Sequence, residues 1–114
     1  MKSKKERLKK KAWQTFSKWI RNRDVTCVTC QIGKADNAGH FWHNILDFDE
    51  ININGQCVRC NKWLSGNLNS YAEYLIKKYG IKKFKDLSSR HYKVMQGEHY
   101  EIEDYQKIIK KYEN

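Results

Sequence analysis

The 114 residues of this chain suffice for one compact domain but leave little room for a deep apolar core, so we expect an additional stabilising element. Hydrophobic residues make up 39% and charged residues 32%, which excludes a disordered tail and a membrane-spanning protein. The lysine-rich N-terminus lacks the features of a secretory signal. We therefore expect a cytoplasmic protein with reduced thiols and no membrane partner.

The net charge of +10 is concentrated at the N-terminus. Residues 1–23 contain ten Lys and Arg against the single Glu6, a net charge of +9, and the remaining residues carry only +1. Concentrated positive charge suits a polyanionic partner, because neutralised phosphates release condensed counterions. We therefore predict binding to nucleic acid. A solvated helix face and a surface for acidic lipid are the alternatives.

Residues 3–22 are predicted to form an amphipathic helix. Apolar side chains recur every four positions, at Leu8, Ala12, Phe16 and Ile20. Residues 24–60 are rich in turn formers, with short apolar runs at 40–42 and 51–53 that indicate a small hairpin. Helical periodicity returns after Cys60 and reaches Gly80, which is placed to end that helix.

Two further helices are predicted near the C-terminus. One covers about residues 84–95, and the last begins at the acidic turn 101–104 and ends near Lys110 and Lys111. The predicted organisation is therefore a basic helix over 1–23 packed on a core, the core itself over 24–80, and a helical extension over 81–114. The fold class is α+β.

The four cysteines form two C-x-x-C pairs, Cys27 with Cys30 and Cys57 with Cys60. Two such pairs can place four thiolates tetrahedrally, the closed geometry that structural zinc prefers. A dithiol redox pair and an iron–sulfur cluster are the alternatives. Zinc here would join the end of the first helix to the helix after Cys60, and so fix the segment between them.

That segment combines with the cysteines into a familiar pattern. A Gly-His on a hairpin, a Glu-x-Asn before the second C-x-x-C pair and an Asn directly after it resemble the ββα-metal, or His-Asn-His, endonucleases. More narrowly, Ala-Gly-His-Phe at 38–41, Asp-Glu-Ile-Asn-Ile at 49–53, Gln-Cys-Val-Arg-Cys-Asn at 56–61 and Leu-Ser-Gly-Asn at 64–67 look like the phage lambda NinG family, also called Rap. The resemblance covers residues 24–80, and Tyr71 or Tyr74 follows as in the family.

The resemblance implies a phage-encoded DNA endonuclease that acts in recombination within the bacterial host, on branched DNA such as Holliday junctions. It implies that His40 is the general base, because neutral imidazole accepts a proton from water. It implies that Asn52 is the middle Asn, which holds the hairpin strands in register. Asn61 stands where relatives bind a catalytic metal, and an amide oxygen there favours Mg²⁺ or Mn²⁺.

The chain departs from the common pattern at Gly39. Many relatives place a metal-binding Asp or His directly before the base, whereas this chain has glycine. The missing ligand is Asp36, His43 or Asn67, and the sequence does not choose among them. His43 is also an alternative base, with His40 then the ligand.

The expected DNA contacts come from the basic helix and the second cysteine knuckle. They are Lys9, Lys10, Lys11, Lys18, Arg21, Arg23, Arg59 and Lys62. Symmetric cutting of a four-way junction needs two sites, so we expect a homodimer joined through the helices after Gly66. The four tryptophans are interpreted as core residues, with stacking on unpaired bases as the alternative. His91 and His99 are interpreted as surface residues.

Two functions without catalysis compete with the nuclease. A zinc-ribbon module would bind DNA without cutting it. A zinc-stabilised protein-interaction adaptor would bind no DNA at moderate salt.

Overall fold

The computed structural model describes residues 2–95 and 97–113. In chain order these residues form α1 (Lys4–Asp24), β1 (Asn37–His40), β2 (Ile53–Gln56), a π-helical turn (Arg59–Trp63), α2 (Leu68–Tyr79), α3 (Ile81–Val94) and α4 (Ile102–Tyr112). The predicted α+β class is confirmed. No helix within these residues combines the length and the apolar character needed to cross a bilayer.

Helix α1 has the buried stripe predicted for it and extends two residues further. Ser3 caps its start, since the Ser3 hydroxyl accepts a hydrogen bond from the Glu6 amide at 3.1 Å. Ala12, Phe16 and Ile20 are fully buried. The lysines on the opposite face remain exposed to solvent.

Strands β1 and β2 pair antiparallel, with Asn37 opposite Gln56 and His40 opposite Ile53. Because side chains alternate along a strand, Gly39 and Gln56 share one face of this hairpin. The other face carries Ile53, which packs on Phe16 and Ile20 of α1. The hairpin therefore lies between α1 on one side and the π-helical turn with α2 on the other.

Helix α4 packs on α1 and contributes to the same core. Tyr112 joins the cluster of Phe16, Ile20 and Ile53, and a neighbouring cluster consists of Ala12, Tyr105 and Ile109. The apolar face of the last helix is thus used within the chain. A third cluster joins the 41–46 loop to α2 and α3 through Ile45, Leu46, Tyr71, Leu75 and Leu87.

Two of the aromatic and histidine assignments need correction. Trp63 is not a core residue, because 81% of it is exposed on the π-helical turn. His91 is not a surface residue, since its ring stacks on Trp42 with centroids 3.8 Å apart and its Nδ1 is buried. The sequence offered no periodic signal for either contact. His99 is exposed as expected, beside Glu101.

The Tyr71 hydroxyl of α2 forms hydrogen bonds with both strands of the hairpin. It donates to the Gly39 carbonyl at 2.7 Å and accepts from the Asn54 side-chain amide at 3.0 Å. Burial raises the pKa of Tyr71, so the hydroxyl stays protonated and remains a donor. Both partners are buried, and the Asn54 amide also donates to the Ile51 carbonyl at 2.7 Å.

We expect Tyr71→Phe to lower the free energy of unfolding by about 1–3 kcal/mol, because the buried Gly39 carbonyl and the buried Asn54 amide each lose one hydrogen bond. Urea denaturation followed by circular dichroism measures the change. Tyr92→Phe is the matched control, since Tyr92 is 61% exposed. An equal, negligible effect of both variants would contradict the structural role of Tyr71.

Candidate functional site

The four cysteines converge as the sequence predicts. The Sγ atoms of Cys27, Cys30, Cys57 and Cys60 all lie within 4.8 Å of one another. Cys27 and Cys60 are buried, and the other two are half-buried. Four sulfurs this close together could hold a zinc ion.

Each half of this cysteine cluster is shaped by local backbone contacts. In the first half, the Cys27 amide donates to the Gly33 carbonyl at 2.7 Å. In the second half, the Cys60 amide donates to Cys57 Sγ at 3.4 Å. A Cβ at Gly33 would lie 2.8 Å from the Cβ of Cys57, so glycine allows the two halves to approach.

Cys27 and Cys57 differ in how readily their thiols lose a proton. Burial opposes ionisation of Cys27, yet hydrogen bonds from the Thr29 hydroxyl and from backbone amides lower the pKa of Cys27 to about 6. At Cys57 the Cys60 amide favours the thiolate, but burial and three neighbouring sulfurs raise the pKa of Cys57 to about 11. A divalent ion would replace such protons, because it binds thiolates.

His40 lies at the end of β1 and is held by two neighbours. Its Nε2 is 2.9 Å from Oδ1 of Asp47, and its ring stacks on Trp13 of α1 with centroids 5.2 Å apart. A carboxylate can only accept a hydrogen bond, so the Nε2 of neutral His40 carries the proton and Nδ1 has the free lone pair. The contact with Asp47 thus selects the tautomer in which Nδ1 can accept a proton.

His40 opens into a cleft that also contains part of the basic helix. The cleft is lined by Lys9, Trp13, His40, Asn44, Asp47 and Phe48. An anionic group that enters the cleft would meet the Lys9 ammonium beside the imidazole. One of the residues expected to contact DNA thus lies next to the expected base.

Asn52 holds the loop that follows His40. This fully buried residue accepts a hydrogen bond from the Trp42 amide at 2.8 Å, and its side-chain amide donates to the carbonyls of Ile45 and Leu46. The resemblance implies a residue that keeps the two strands in register. The contacts present tie the 41–46 loop to the start of β2, which has a similar positioning effect on His40.

Asn61 lies on the other face of β1, against Gly39. A Cβ at residue 39 would lie 2.9 Å from Asn61 Oδ1 and would overlap the side-chain oxygen of Gln56. The glycine that departs from the common pattern is therefore required by these two amides. Asn61 therefore contacts Gly39, which is the residue directly before His40 in β1.

The three candidates for the missing ligand lie in different places. Asp36 is exposed before β1 and pairs with Lys34 at 3.8 Å. Asn67 directs its amide at Cys60 Sγ, 3.6 Å away, and so belongs to the cysteine cluster. His43 lies near Gly66, and its ring centroid is 6.4 Å from that of His40. His43 is thus the candidate placed beside the expected base.

Most of the basic residues expected at the DNA surface are exposed. They are Lys9, Lys10, Lys11, Lys18, Arg59 and Lys62. Arg21 is half-buried and donates to the Ser17 carbonyl within α1. Arg23 differs, because its guanidinium pairs with Asp24 and donates to the carbonyls of Glu50 and Ile53. Arg23 therefore has a structural role, in which the last turn of α1 is fixed to the hairpin.

Two residues near the site could not be assigned from sequence. Asp47 is one of several acidic residues in the 47–50 segment, and nothing in its spacing identifies it as the partner of His40. Gln56 is part of the family pattern, but its orientation toward Gly39 depends on the strand register. Alternation along a hairpin would have placed Gln56 on the face of Gly39 once that register was known.

Comparison with known proteins identifies a phage family. The curated protein ninG of Salmonella phage P22 is 39% identical over 90 residues, which cover 72% of this chain and 44% of that protein. Protein ninG of Escherichia phage 933W is 38% identical and that of Escherichia phage lambda 37%, with 72% of this chain covered in each case and 45% and 44% of the relative. The chain thus spans less than half the length of these relatives.

No solved structure matches the chain. The family model for the Bacteriophage Lambda NinG protein matches residues 1–114, from one end of the chain to the other. The chain belongs to the NinG family.

Proposed function

We propose that this protein is a metal-dependent DNA endonuclease that hydrolyses phosphodiester bonds, with branched DNA as its preferred substrate. The observation that carries the proposal is His40, oriented by Asp47 in a cleft that it shares with Lys9 of the basic helix. Asn61 lies on the opposite face of the same strand, against Gly39, and directly follows Cys60 of the cysteine cluster. The resemblance to ββα-metal endonucleases supports the same roles.

The residues of the cleft account for proton transfer and placement. Asp47 fixes the His40 tautomer, so Nδ1 can take a proton from water as the water oxygen attacks phosphorus. Lys9 attracts the phosphate into the cleft. The bond from phosphorus to the 3′ oxygen breaks as the new bond forms.

The Asn61 side-chain oxygen, directly after the cysteine cluster, would hold Mg²⁺ or Mn²⁺, since an amide oxygen is a hard donor. When bound, such an ion neutralises charge on the phosphate and on the leaving oxygen.

Branched DNA is the proposed substrate class because the exposed aromatic and basic side chains can recognise the shape and charge of DNA. Trp63 is exposed on the π-helical turn between the knuckle and α2, close in sequence to the exposed Arg59 and Lys62. An exposed tryptophan beside cations is suited to stacking on an unpaired base near a branch. We place this activity in the cytoplasm of the infected host.

A homodimer is proposed for cutting a four-way junction symmetrically. The apolar side chains left exposed on and after α2 and α3 form the candidate interface: Leu68, Ile76, Ile81, Tyr92 and Met95. Helix α4 is not part of it, because its apolar face already packs on α1.

The proposal is tested by incubating the zinc-loaded protein with duplex, single-stranded, flap and four-way-junction DNA across a series of Mg²⁺ and Mn²⁺ concentrations. We expect metal-dependent nicks, most rapid on the junction, and their loss in Asn61→Ala. Binding without cleavage in every metal would overturn the nuclease and indicate a zinc-ribbon binding module. No binding at moderate salt would indicate an adaptor.

We expect the lysines of α1 to position the protein on the DNA backbone without giving a preference for particular base sequences. Replacing the three lysines at 9–11 with glutamine should weaken binding to all DNA sequences, and the slope of log K against log salt should fall by about 0.9 per lost contact. Fluorescence anisotropy across a salt series measures both. The charge-matched control replaces Lys82, Lys83 and Lys85 of α3, and an equal loss there would argue against a specific role of α1.

A further inference from the structure

Gln56 contains a buried polar atom that the fold leaves without a partner. The residue is fully buried at the end of β2, and among the described residues its side-chain oxygen has no hydrogen-bond donor. A buried carbonyl without a partner costs about 1–3 kcal/mol. A bound water or ion is one of the explanations for such an atom in a native protein.

The direction of this oxygen is fixed by the other half of the amide. Gln56 Nε2 donates to the Gly66 carbonyl at 2.8 Å and to the Thr29 hydroxyl at 3.2 Å. A carbonyl can only accept, so the NH₂ group must face Gly66. The Gln56 oxygen is thereby directed to the opposite side, toward Gly39.

The space above Gly39 contains a second oxygen. A Cβ at residue 39 would overlap the Gln56 oxygen and would lie 2.9 Å from Asn61 Oδ1. Two hard, neutral oxygens thus converge on the place that a side chain at residue 39 would occupy. This is the position at which the sequence lacks the usual ligand.

We propose that Gln56 supplies this missing ligand, and that the side-chain oxygens of Gln56 and Asn61 together bind one Mg²⁺ or Mn²⁺ ion. Amide oxygens and water are ligands that both ions accept. The inference deepens the proposed function, because the catalytic use of the ion rests on that function. Binding of the ion is measured without DNA, so the ligand assignment and the nuclease proposal can fail separately.

The first test is Mn²⁺ binding to the zinc-loaded protein, followed by the electron paramagnetic resonance signal of free Mn²⁺. We expect Gln56→Ala to weaken binding at least about tenfold, which corresponds to about 1.4 kcal/mol. Gln14→Ala is the control, because Gln14 is an exposed residue of α1. Unchanged Mn²⁺ affinity in Gln56→Ala would overturn the assignment.

A rescue experiment separates ligation from a packing role. Gly39→Asp alone should disrupt the site, because its Cβ would overlap the Gln56 oxygen. Gly39→Asp combined with Gln56→Ala vacates that space and places a carboxylate there. We expect the double variant to recover Mn²⁺ affinity to at least the wild-type value. Failure to recover in a folded, zinc-loaded double variant would count against ligation.

A third measurement needs no variant. In wild-type protein, Mn²⁺ should broaden the side-chain amide NMR signals of Gln56 and Asn61 before those of Asn69, an exposed residue of α2. Unbroadened signals would mean that the two amides only hydrogen-bond each other, and the inference would fail. Mn²⁺ binding at Gln56 without DNA cleavage would instead reject the nuclease, and cleavage that is independent of Gln56 would reject only the ligand.

Discussion

Cys60→Ser is expected to lose zinc and to unfold the domain. Binding of zinc to four thiolates contributes about 10–16 kcal/mol in zinc-finger peptides, as much as the total stability of about 5–15 kcal/mol of an ordinary domain. Cys60 is fully buried, and its sulfur is close to the other three. The expected results are less than one zinc per chain and loss of cooperative thermal unfolding, measured by atomic absorption and circular dichroism.

Val58→Ser is the matched control for this result. Val58 lies within the same C-x-x-C pair but is 41% exposed, so zinc content and cooperative unfolding should be retained. Chelation of zinc from the wild-type protein should reproduce the Cys60→Ser phenotype, and restored zinc should reverse it. A Cys60→Ser protein that melts like the wild type would show that the cluster does not stabilise the fold.

His40→Ala is expected to slow DNA cleavage about 10²–10⁴-fold, the usual contribution of a general base. Folding and zinc content should be kept, because the His40 side chain contacts a partly exposed carboxylate and one face of Trp13. Single-turnover cleavage of a junction at saturating metal isolates the chemical step. His99→Ala is the control, because it removes an exposed histidine far along the chain.

Two further variants distinguish the roles around His40. Asp47→Asn should give a smaller loss than His40→Ala, because the base remains but its tautomer is no longer fixed. His43→Ala should retain both the maximal rate and the metal requirement, because Gln56 and not His43 is the proposed ligand. If His43→Ala removes catalysis and His40→Ala only raises the metal requirement, the two histidines have exchanged roles.

Much of the architecture could be predicted because it depends on local patterns. The stripe through Ala12, Phe16 and Ile20 defines α1 without any tertiary information, and the two C-x-x-C pairs define the cysteine cluster. Contacts that depend on register could not be predicted. The stacking of His91 on Trp42 joins distant parts of the chain, and a single sequence contains no signal for it.

In the candidate site, too, the residues with a local sequence pattern could be predicted, and their spatial arrangement could not. His40, Asn52 and Asn61 were identified by resemblance, and the structure places His40 and Asn61 on opposite faces of one strand end. The helix expected after Cys60 begins as a π-helical turn, and Asn67 takes a left-handed backbone conformation before α2. That irregularity turns the Asn67 amide toward sulfur, which helical spacing alone would not indicate.

The contacts that fix the end of α1 to the hairpin also bear on where the proposed nuclease would cut DNA. Asp24 accepts a hydrogen bond from the Gly55 amide at 2.6 Å, and Arg23 donates to the carbonyls of Glu50 and Ile53, so several hydrogen bonds join α1 to the hairpin. A helix of 21 residues is about 30 Å long and can track several successive phosphates. In the proposed nuclease, the phosphates bound by α1 and the phosphate at His40 would stay at a fixed separation, so the incision point would lie at a set distance from the DNA that α1 binds.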